Sequence, residues 1–217
     1  MNPVKQSKLV FGIDLTTTET KPSALSGLDD KLQVVYFGFV LKDSDILSIL
    51  RFYSPQVIAI DAPLSLPMGL HSPEENSPCQ ATILRKGRAC ERELATLGIP
   101  CYFTSQKSII KDLAYRGIKL KNKLCQAGLQ VIEVYPYASK VRLFGKPLPR
   151  KTTPQGIACL KACLEELLPS HKPYLSMFDH NLYDAAISAY TALLYCQNRV
   201  DSVGNDREGL IFTPHIN

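Results

Sequence analysis

The alternation of apolar and polar positions divides the chain into predicted strands and helices. Short apolar runs rich in β-branched and aromatic residues predict strands, whereas apolar positions that recur every three or four residues predict helices. Strands are predicted at 8–15, 22–28, 31–41, 57–61, 129–134 and 209–213. Helices are predicted at 43–53, 79–97, 107–127, 154–168 and 180–197, with Gly117 as a point where the third could break.

The order of these elements sets the fold class. Three strands joined by tight turns, followed by alternating helices and strands, predict an α/β fold in which three antiparallel strands plus parallel strands form a mixed sheet flanked by helices. This is the order of elements in the RNase H-like architecture. A chain of 217 residues with 45% hydrophobic content predicts a single domain over 1–217. Residues 62–80 carry four prolines, so 62–127 is predicted to be a helical and loop insertion after the fourth strand.

Composition argues against several classes of protein. The chain has no run of about 18 apolar residues, so we expect no membrane span. The N-terminal MNPVKQSK lacks the apolar core of a signal peptide, which predicts a cytoplasmic location. Seven cysteines, an odd number without a secretory signal, argue against a disulfide framework and favour free thiols.

Positive charge is concentrated in one segment. Residues 101–151 hold eleven Lys and Arg against two acids, a net +9 in a chain whose total is +5. A basic region on an otherwise acidic protein is a candidate surface for a phosphate backbone. A solvated helix face with long cationic side chains explains the same pattern, and the sequence leaves both interpretations open.

Four acids stand where the pattern predicts an apolar or neutral residue: Asp14, Asp61, Glu133 and Asp184. A buried carboxylate is costly unless it is paired, hydrogen-bonded or metal-bound, and each acid alone could serve in a turn, a cap or an ion pair. Asp14 and Asp61 end strands that would be neighbours, and Asp184 could reach the same edge of the sheet from its helix. Together the four predict a catalytic centre. Oxygen ligands without Cys or His suit Mg²⁺ or Mn²⁺, and such centres run phosphoryl displacement.

Successive blocks of the sequence resemble one known family. FGIDLTTTETKPSALSGLD, VIAIDAPLSLP, GRACERELATLGIP, LQVIEVYPYAS, LYDAAISAYTALL and EGLIFTP are similar to domain-of-unknown-function family 429, a family of predicted nucleases of RNase H-like fold. The resemblance covers about residues 9–214. It implies an acidic, metal-binding centre of Asp14, Asp61 and Asp184, with Glu133 as a further motif acid.

The resemblance also implies roles for two residues of the RACE block. Arg88 would contact a phosphate, and Glu91 would serve as a metal ligand or a positioning contact. One feature departs from ribonuclease H enzymes, which usually carry a glutamate on the first long helix. Here that helix offers only Asp43 and Asp45, so acids on strands one and four and on the last helix, as in resolvase-type relatives, fit better.

Four other residues are candidates for substrate binding. His180 lies one helical turn before Asp184 and could be a ligand, a proton-transfer group or a solvated histidine at a helix start. Lys107 and Lys111 share a helix face and could contact phosphate or only solvent. Tyr135 could stack on a base or pack in the core.

We therefore predict a nuclease that hydrolyses phosphodiester bonds in nucleic acid through an acidic Mg²⁺ or Mn²⁺ centre, with nucleic acid of either type as its partner and a homodimer left open. Two alternatives remain. GIDLTTTET resembles the first strand and phosphate turn of actin-like ATP-binding phosphotransferases or ATPases. The chain could also be a non-catalytic module that binds nucleic acid.

Overall fold

A seven-stranded mixed sheet organises the protein, whose computed structural model describes residues 8–70 and 86–215. Its strands are β1 (Val10–Asp14), β2 (Ser23–Leu28), β3 (Val34–Val40), β4 (Val57–Asp61), β5 (Val131–Val134), β6 (Val200–Asn205) and β7 (Gly209–Pro214). They lie in the order β3-β2-β1-β4-β5-β7-β6. Strands β1, β4, β5 and β7 are parallel to one another, while β2, β3 and β6 each run antiparallel to their neighbours. The predicted mixed sheet of antiparallel and parallel strands is therefore confirmed.

Helices cover both faces of this sheet. They are α1 (Asp43–Tyr53), α2 (Ala89–Thr96), α3 (Lys111–Gln126), α4 (Pro136–Phe144), α5 (Pro154–Leu167) and α6 (His180–Cys196), with short 3₁₀ turns at Pro169–His171 and Leu175–Met177. The buried residues of α5 and α6 pack on one face, and those of α1 and α3 pack on the other. None of the helices in the described part of the chain has the length and apolar character needed to cross a bilayer.

Sequence and structure differ in a few elements. Helix α3 runs unbroken through Gly117. A Cβ at this position would lie 2.8 Å from the carbonyl oxygen of Pro63, so glycine is the residue that lets the helix pack against that loop. Helix α4 and strand β6 were not predicted from the sequence. Of the helix predicted at 79–97, residues 79–85 lie outside the described residues, and in the rest only Ala89–Thr96 is helical, as α2.

The position of α6 depends on a glycine in the central strand β1. A Cβ at Gly12 would lie 2.2 Å from the carbonyl oxygen of Ala185 and 2.2 Å from the amide nitrogen of Ala189. Only a residue without a side chain allows α6 to approach β1 this closely. Because side chains alternate along a strand, Asp14 projects from the same face of β1 as Gly12, toward α6.

Candidate active site

The candidate site is built around two aspartates at the ends of neighbouring parallel strands. Asp14 ends β1 and Asp61 ends β4, and the two are register partners in the sheet. Adjacent strands lie about 4.8 Å apart, so the two side chains leave the sheet side by side on one face. Both are only partly exposed. The predicted adjacency of these two acids is thus realised by the parallel pairing of β1 with β4.

A third aspartate reaches the same place from α6. The helix begins after Asp179, whose carboxylate accepts hydrogen bonds from the backbone N–H groups of Asn181 and Leu182 as an N-cap. Asp184 lies in the first turns of the helix and is 1% exposed. The close contact of α6 with Gly12 brings this carboxylate to the end of β1 where Asp14 lies.

Two lysines neutralise Asp184. The Nζ atom of Lys140, on α4, lies 2.7 Å from Oδ1 of Asp184, and the Lys140 side chain is buried. Lys151, in the segment before α5, donates a hydrogen bond to Oδ2 and is 42% exposed at its side chain. The sequence marked both only as members of the basic segment. Helix α4, which carries Lys140, was not predicted, because Pro136 was interpreted as the end of a strand and a proline suits the first turn of a helix equally well.

The pKa values of the other two carboxylates, Asp14 and Asp61, are raised in the folded protein. Burial, reinforced by the charge of Asp184, raises the pKa of Asp14 from 3.8 to about 7. Burial, followed by the charges of Asp14 and Asp184, also raises the pKa of Asp61 well above its usual value. Lys151 and Lys140 oppose both shifts. In the described ranges no group donates a hydrogen bond to the carboxylate of Asp14 or of Asp61, so these two carboxylates lack the partners that Asp184 has.

The donor set fits a hard divalent cation. Asp14 and Asp61 offer carboxylate oxygens that carry no counter-ion of their own, and a cation between them would relieve their repulsion. Asp184 could add a third carboxylate if Lys151, the more exposed of its two partners, moved away. In residues 8–70 and 86–215 no three Asp, Glu, His or Cys side chains are already arranged around one ion position. The pair Asp14 and Asp61 is therefore the first candidate holder of a metal.

Glu133, the fourth predicted acid, points the other way. It is in register with Ile60, not with Asp61, and side chains alternate along a strand, so Glu133 leaves the opposite face of the sheet. Its carboxylate accepts hydrogen bonds from both terminal nitrogens of Arg88, at 2.8 and 2.6 Å, and from the backbone N–H of Leu64 at 2.8 Å. The structure therefore does not bring Glu133 into the group of Asp14, Asp61 and Asp184, which we call the acidic cluster.

Arg88 and Glu91 are held in the same buried network. Arg88 is 1% exposed, and its Nε donates to Oε1 of Glu91 at 2.9 Å. Glu91 also accepts hydrogen bonds from the backbone N–H of Arg88 at 2.9 Å and from the backbone N–H of Thr104 at 2.8 Å. These contacts join the start of α2 to β5 and to the loop after β4. The Arg88 guanidinium, which was predicted to contact a phosphate, and the Glu91 carboxylate, which was predicted to bind a metal or make a positioning contact, therefore bind other groups of the protein.

The remaining predicted substrate residues lie in different settings. Tyr135 ends β5, and its hydroxyl donates to the carbonyl oxygen of Pro100 at 2.9 Å. His180 is the first residue of α6, one turn before the aspartate that the lysines hold, and is partly buried. Lys107 is exposed, Lys111 begins α3, and neither lines the cavity described next.

Two further sequence predictions concern the first helix and the cysteines. Asp43, on α1, forms a buried ion pair with Arg116 of α3 at 2.8 Å, and Asp45 is exposed on the same helix. The acids of α1 therefore stay with α3 or solvent and add nothing to the acidic cluster. The cysteines that the structure describes are all free thiols.

A cavity of about 650 Å³ opens beside the acidic cluster. Asp61 and Asp184 line it together with Lys140, Lys151 and Arg150. The buried network of Arg88, Glu91 and Glu133 lines the same cavity. Much of the remaining wall is apolar or aromatic, formed by Leu94, Tyr102, Ile110, Leu113, Tyr135, Tyr137, Leu148 and Leu160. Acids, cations and aromatic rings thus share one concave space, which is typical of a small-molecule or substrate site.

Comparisons with known proteins identify a family and a solved structure that is similar to this chain. The sequence profile of the family described as "Protein of unknown function (DUF429)" matches residues 12–209. No curated protein matches the chain. Among solved structures, the Thermus thermophilus RuvC structure is similar over 88% of this chain and 96% of that chain, with a TM-score of 0.46 and 13% sequence identity.

Proposed function

We propose that this chain, which belongs to the DUF429 family, hydrolyses phosphodiester bonds in nucleic acid with the help of a Mg²⁺ or Mn²⁺ ion held at its acidic cluster. One observation carries the proposal. Asp14 and Asp61 lie side by side at a strand edge, are largely removed from water and have no hydrogen-bond donor in the described part of the chain. Such an arrangement is costly unless a cation is bound.

The protein's own groups would divide the work between them. Asp14 and Asp61 would hold the ion, with Asp184 as a further ligand, and the ion would supply the means to activate water and to stabilise the leaving oxygen. Lys140 keeps Asp184 oriented at the end of α6. Lys151 and Arg150 supply positive charge on the same cavity wall, where a phosphate would lie. Part of the basic segment is thereby directed at the site itself.

The same structure bears on the two alternatives. In the turn after β1, the Thr16 hydroxyl donates to the carbonyl oxygen of Lys21 at 2.8 Å and lies 3.1 Å from the carbonyl oxygen of Thr18. Arg116 donates to the carbonyl oxygens of Thr16 and Thr18. The polar groups of this turn therefore bind one another and Arg116 of α3. These contacts do not support a phosphate-binding role of the actin-like kind. A module that only binds nucleic acid would have no need to keep the Asp14–Asp61 pair so poorly compensated.

Metal binding is tested by titrating the protein with Mn²⁺ in a calorimeter. Wild type should bind the ion, and Asp61→Asn should lose most of the heat because it removes one of the two unpaired carboxylates. Asp30→Asn, which changes an exposed acid far from the cluster, is the matched control and should bind as wild type does. Equal binding by wild type and Asp61→Asn would contradict a metal at this cluster.

Activity is tested separately with labelled single-stranded, duplex, hybrid and branched substrates of DNA and RNA. Cleavage should require Mg²⁺ or Mn²⁺ and should be lost in Asp14→Asn, Asp61→Asn and Asp184→Asn. Cleavage that survives Asp184→Asn would refute the assignment. Hydrolysis of ATP without cleavage of any polynucleotide would instead favour the phosphotransferase alternative.

A further inference from the structure

We infer that the cavity beside the acidic cluster binds a single nucleotide with an unpaired base, so that this site acts on unpaired nucleotides and not on intact duplex. The inference deepens the proposed function and rests on it for the identity of the reacting group, a phosphate. It concerns what the cavity admits, which can be measured without any cleavage.

The size of the cavity indicates that it holds one small molecule. Ligand pockets in proteins have volumes of about 300–1,000 Å³ and enclose one small molecule, and this cavity of about 650 Å³ lies in that range. Duplex nucleic acid is instead bound across an extended protein surface of about 1,000 Å² or more. Asp61 and Asp184 line the cavity. A phosphate can therefore reach these acids when its nucleotide enters the cavity, which a paired base cannot do without leaving its helix.

The aromatic wall carries the second step. Tyr102 lines the cavity and is 64% exposed, so most of its ring is available to a ligand. The backbone on either side of it is held in place, because Tyr135 donates to the carbonyl oxygen of Pro100 and the backbone N–H of Thr104 donates to the carboxylate of Glu91 at 2.8 Å. An exposed ring on an anchored segment is suited to stack on a base of any sequence.

The cations carry the third step. Arg150 lines the cavity, is exposed and has no ion-pair partner in the described part of the chain. Lys151, the next residue, already touches Asp184. Both lie on a segment packed against Gly156, where a Cβ would be 1.9 Å from the carbonyl oxygen of Arg150. This segment thus places one unpaired guanidinium and one lysine on the wall of the cavity that Asp61 and Asp184 also line, and both are suited to bind the phosphate of a stacked nucleotide.

Binding in EDTA tests the inference, with a fluorescent short oligothymidylate, the same strand in a blunt duplex, and thymidine 5′-monophosphate as a competitor. The single strand should bind at least about tenfold more tightly than the duplex. Tyr102→Ala should weaken single-strand binding about tenfold, the factor that corresponds to about 1.4 kcal/mol and falls within the range for one stacked base. Tyr115→Ala, which removes an exposed tyrosine of α3 outside the cavity, is the control and should bind as wild type does.

The outcomes separate the inference from the proposed function. Duplex binding as tight as single-strand binding, or no effect of Tyr102→Ala, overturns the inference whatever the enzyme cleaves. Competition by the mononucleotide at the concentration that competes for the strand identifies a free nucleotide as a sufficient ligand, whereas competition only by strands identifies a polynucleotide, and both support the cavity assignment. Single-strand binding without metal-dependent cleavage would leave the cavity in place and refute the nuclease.

Discussion

Replacing Asp14 by asparagine should stabilise the metal-free protein, and the gain should grow with pH. Burial and the neighbouring carboxylates raise the pKa of Asp14 from 3.8 to about 7 in the folded state. Below about pH 4 the carboxyl is protonated in both states and costs nothing. Between about pH 4 and pH 7 the unfolded chain releases a proton that the folded protein retains, so wild-type stability falls as the pH rises.

The size of the effect follows from the shift. A difference of about three pH units corresponds to about 4 kcal/mol at about 1.4 kcal/mol per unit, which is an upper figure because Asp14 titrates together with Asp61. Asparagine does not titrate and has nearly the same shape. We therefore expect Asp14→Asn to gain about 2 kcal/mol more over wild type at about pH 8 than at about pH 5.

Urea denaturation in EDTA at the two pH values measures this difference. Asp30→Asn, an exposed acid, controls for the general effect of removing one charge and should give the same small change at both pH values. Added Mg²⁺ should stabilise wild type at the higher pH and leave Asp14→Asn nearly unchanged, because the variant lacks half of the unpaired pair. A gain in stability for Asp14→Asn that is equal at both pH values would refute the raised pKa of Asp14.

Three further substitutions test the elements that position the site. Gly12→Ala places a methyl group 2.2 Å from the backbone of α6, and urea denaturation should show a loss of about 1–3 kcal/mol or more. Glu133→Leu leaves Arg88 buried without its main partner and should cost about 3–5 kcal/mol, part of which the double variant with Arg88→Met should recover in the same assay. Gly156→Ala should shift the segment that carries Lys151, and calorimetry with Mn²⁺ should then show an altered affinity compared with wild type.

Much of the fold could be predicted because the strongest patterns are local. The helix at 43–53 and the strand at 57–61 coincide with α1 and β4, since a clear apolar stripe and a short apolar run leave little ambiguity. Strand β6 was missed because VDSVGN is a partly polar edge strand without a buried run. Helix α4 was missed because Tyr135-Pro136 looked like a strand end, and only its packing shows that Pro136 begins a helix.

The candidate site could be predicted only in part, for a reason of register. Strand ends and a helix start were enough to propose Asp14, Asp61 and Asp184 together, and the pairing of β1 with β4 places the first two side by side. Nothing in the sequence shows whether Glu133 is level with Asp61 or with the residue before it. A shift of one residue sends a side chain to the other face, so its partner Arg88 emerges only in the structure. The lysine pair on Asp184 likewise depends on long-range packing.

The two faces of this strand edge show why one group of charges is assigned to structure and the other to chemistry. On one face, Glu133 meets a bidentate arginine and a backbone N–H, so its charge is compensated within the protein. On the other face, Asp14 and Asp61 repel each other without a donor in the described part of the chain, although Lys140 and Lys151 lie close enough to lower their pKa values. The charge of Glu133 is thus compensated within the protein, whereas those of Asp14 and Asp61 are compensated only in part. This incomplete compensation favours a site whose charges are balanced by a bound ligand. A cation would compensate Asp14 and Asp61, and a phosphate would then pair with the lysines and the arginine of the cavity wall.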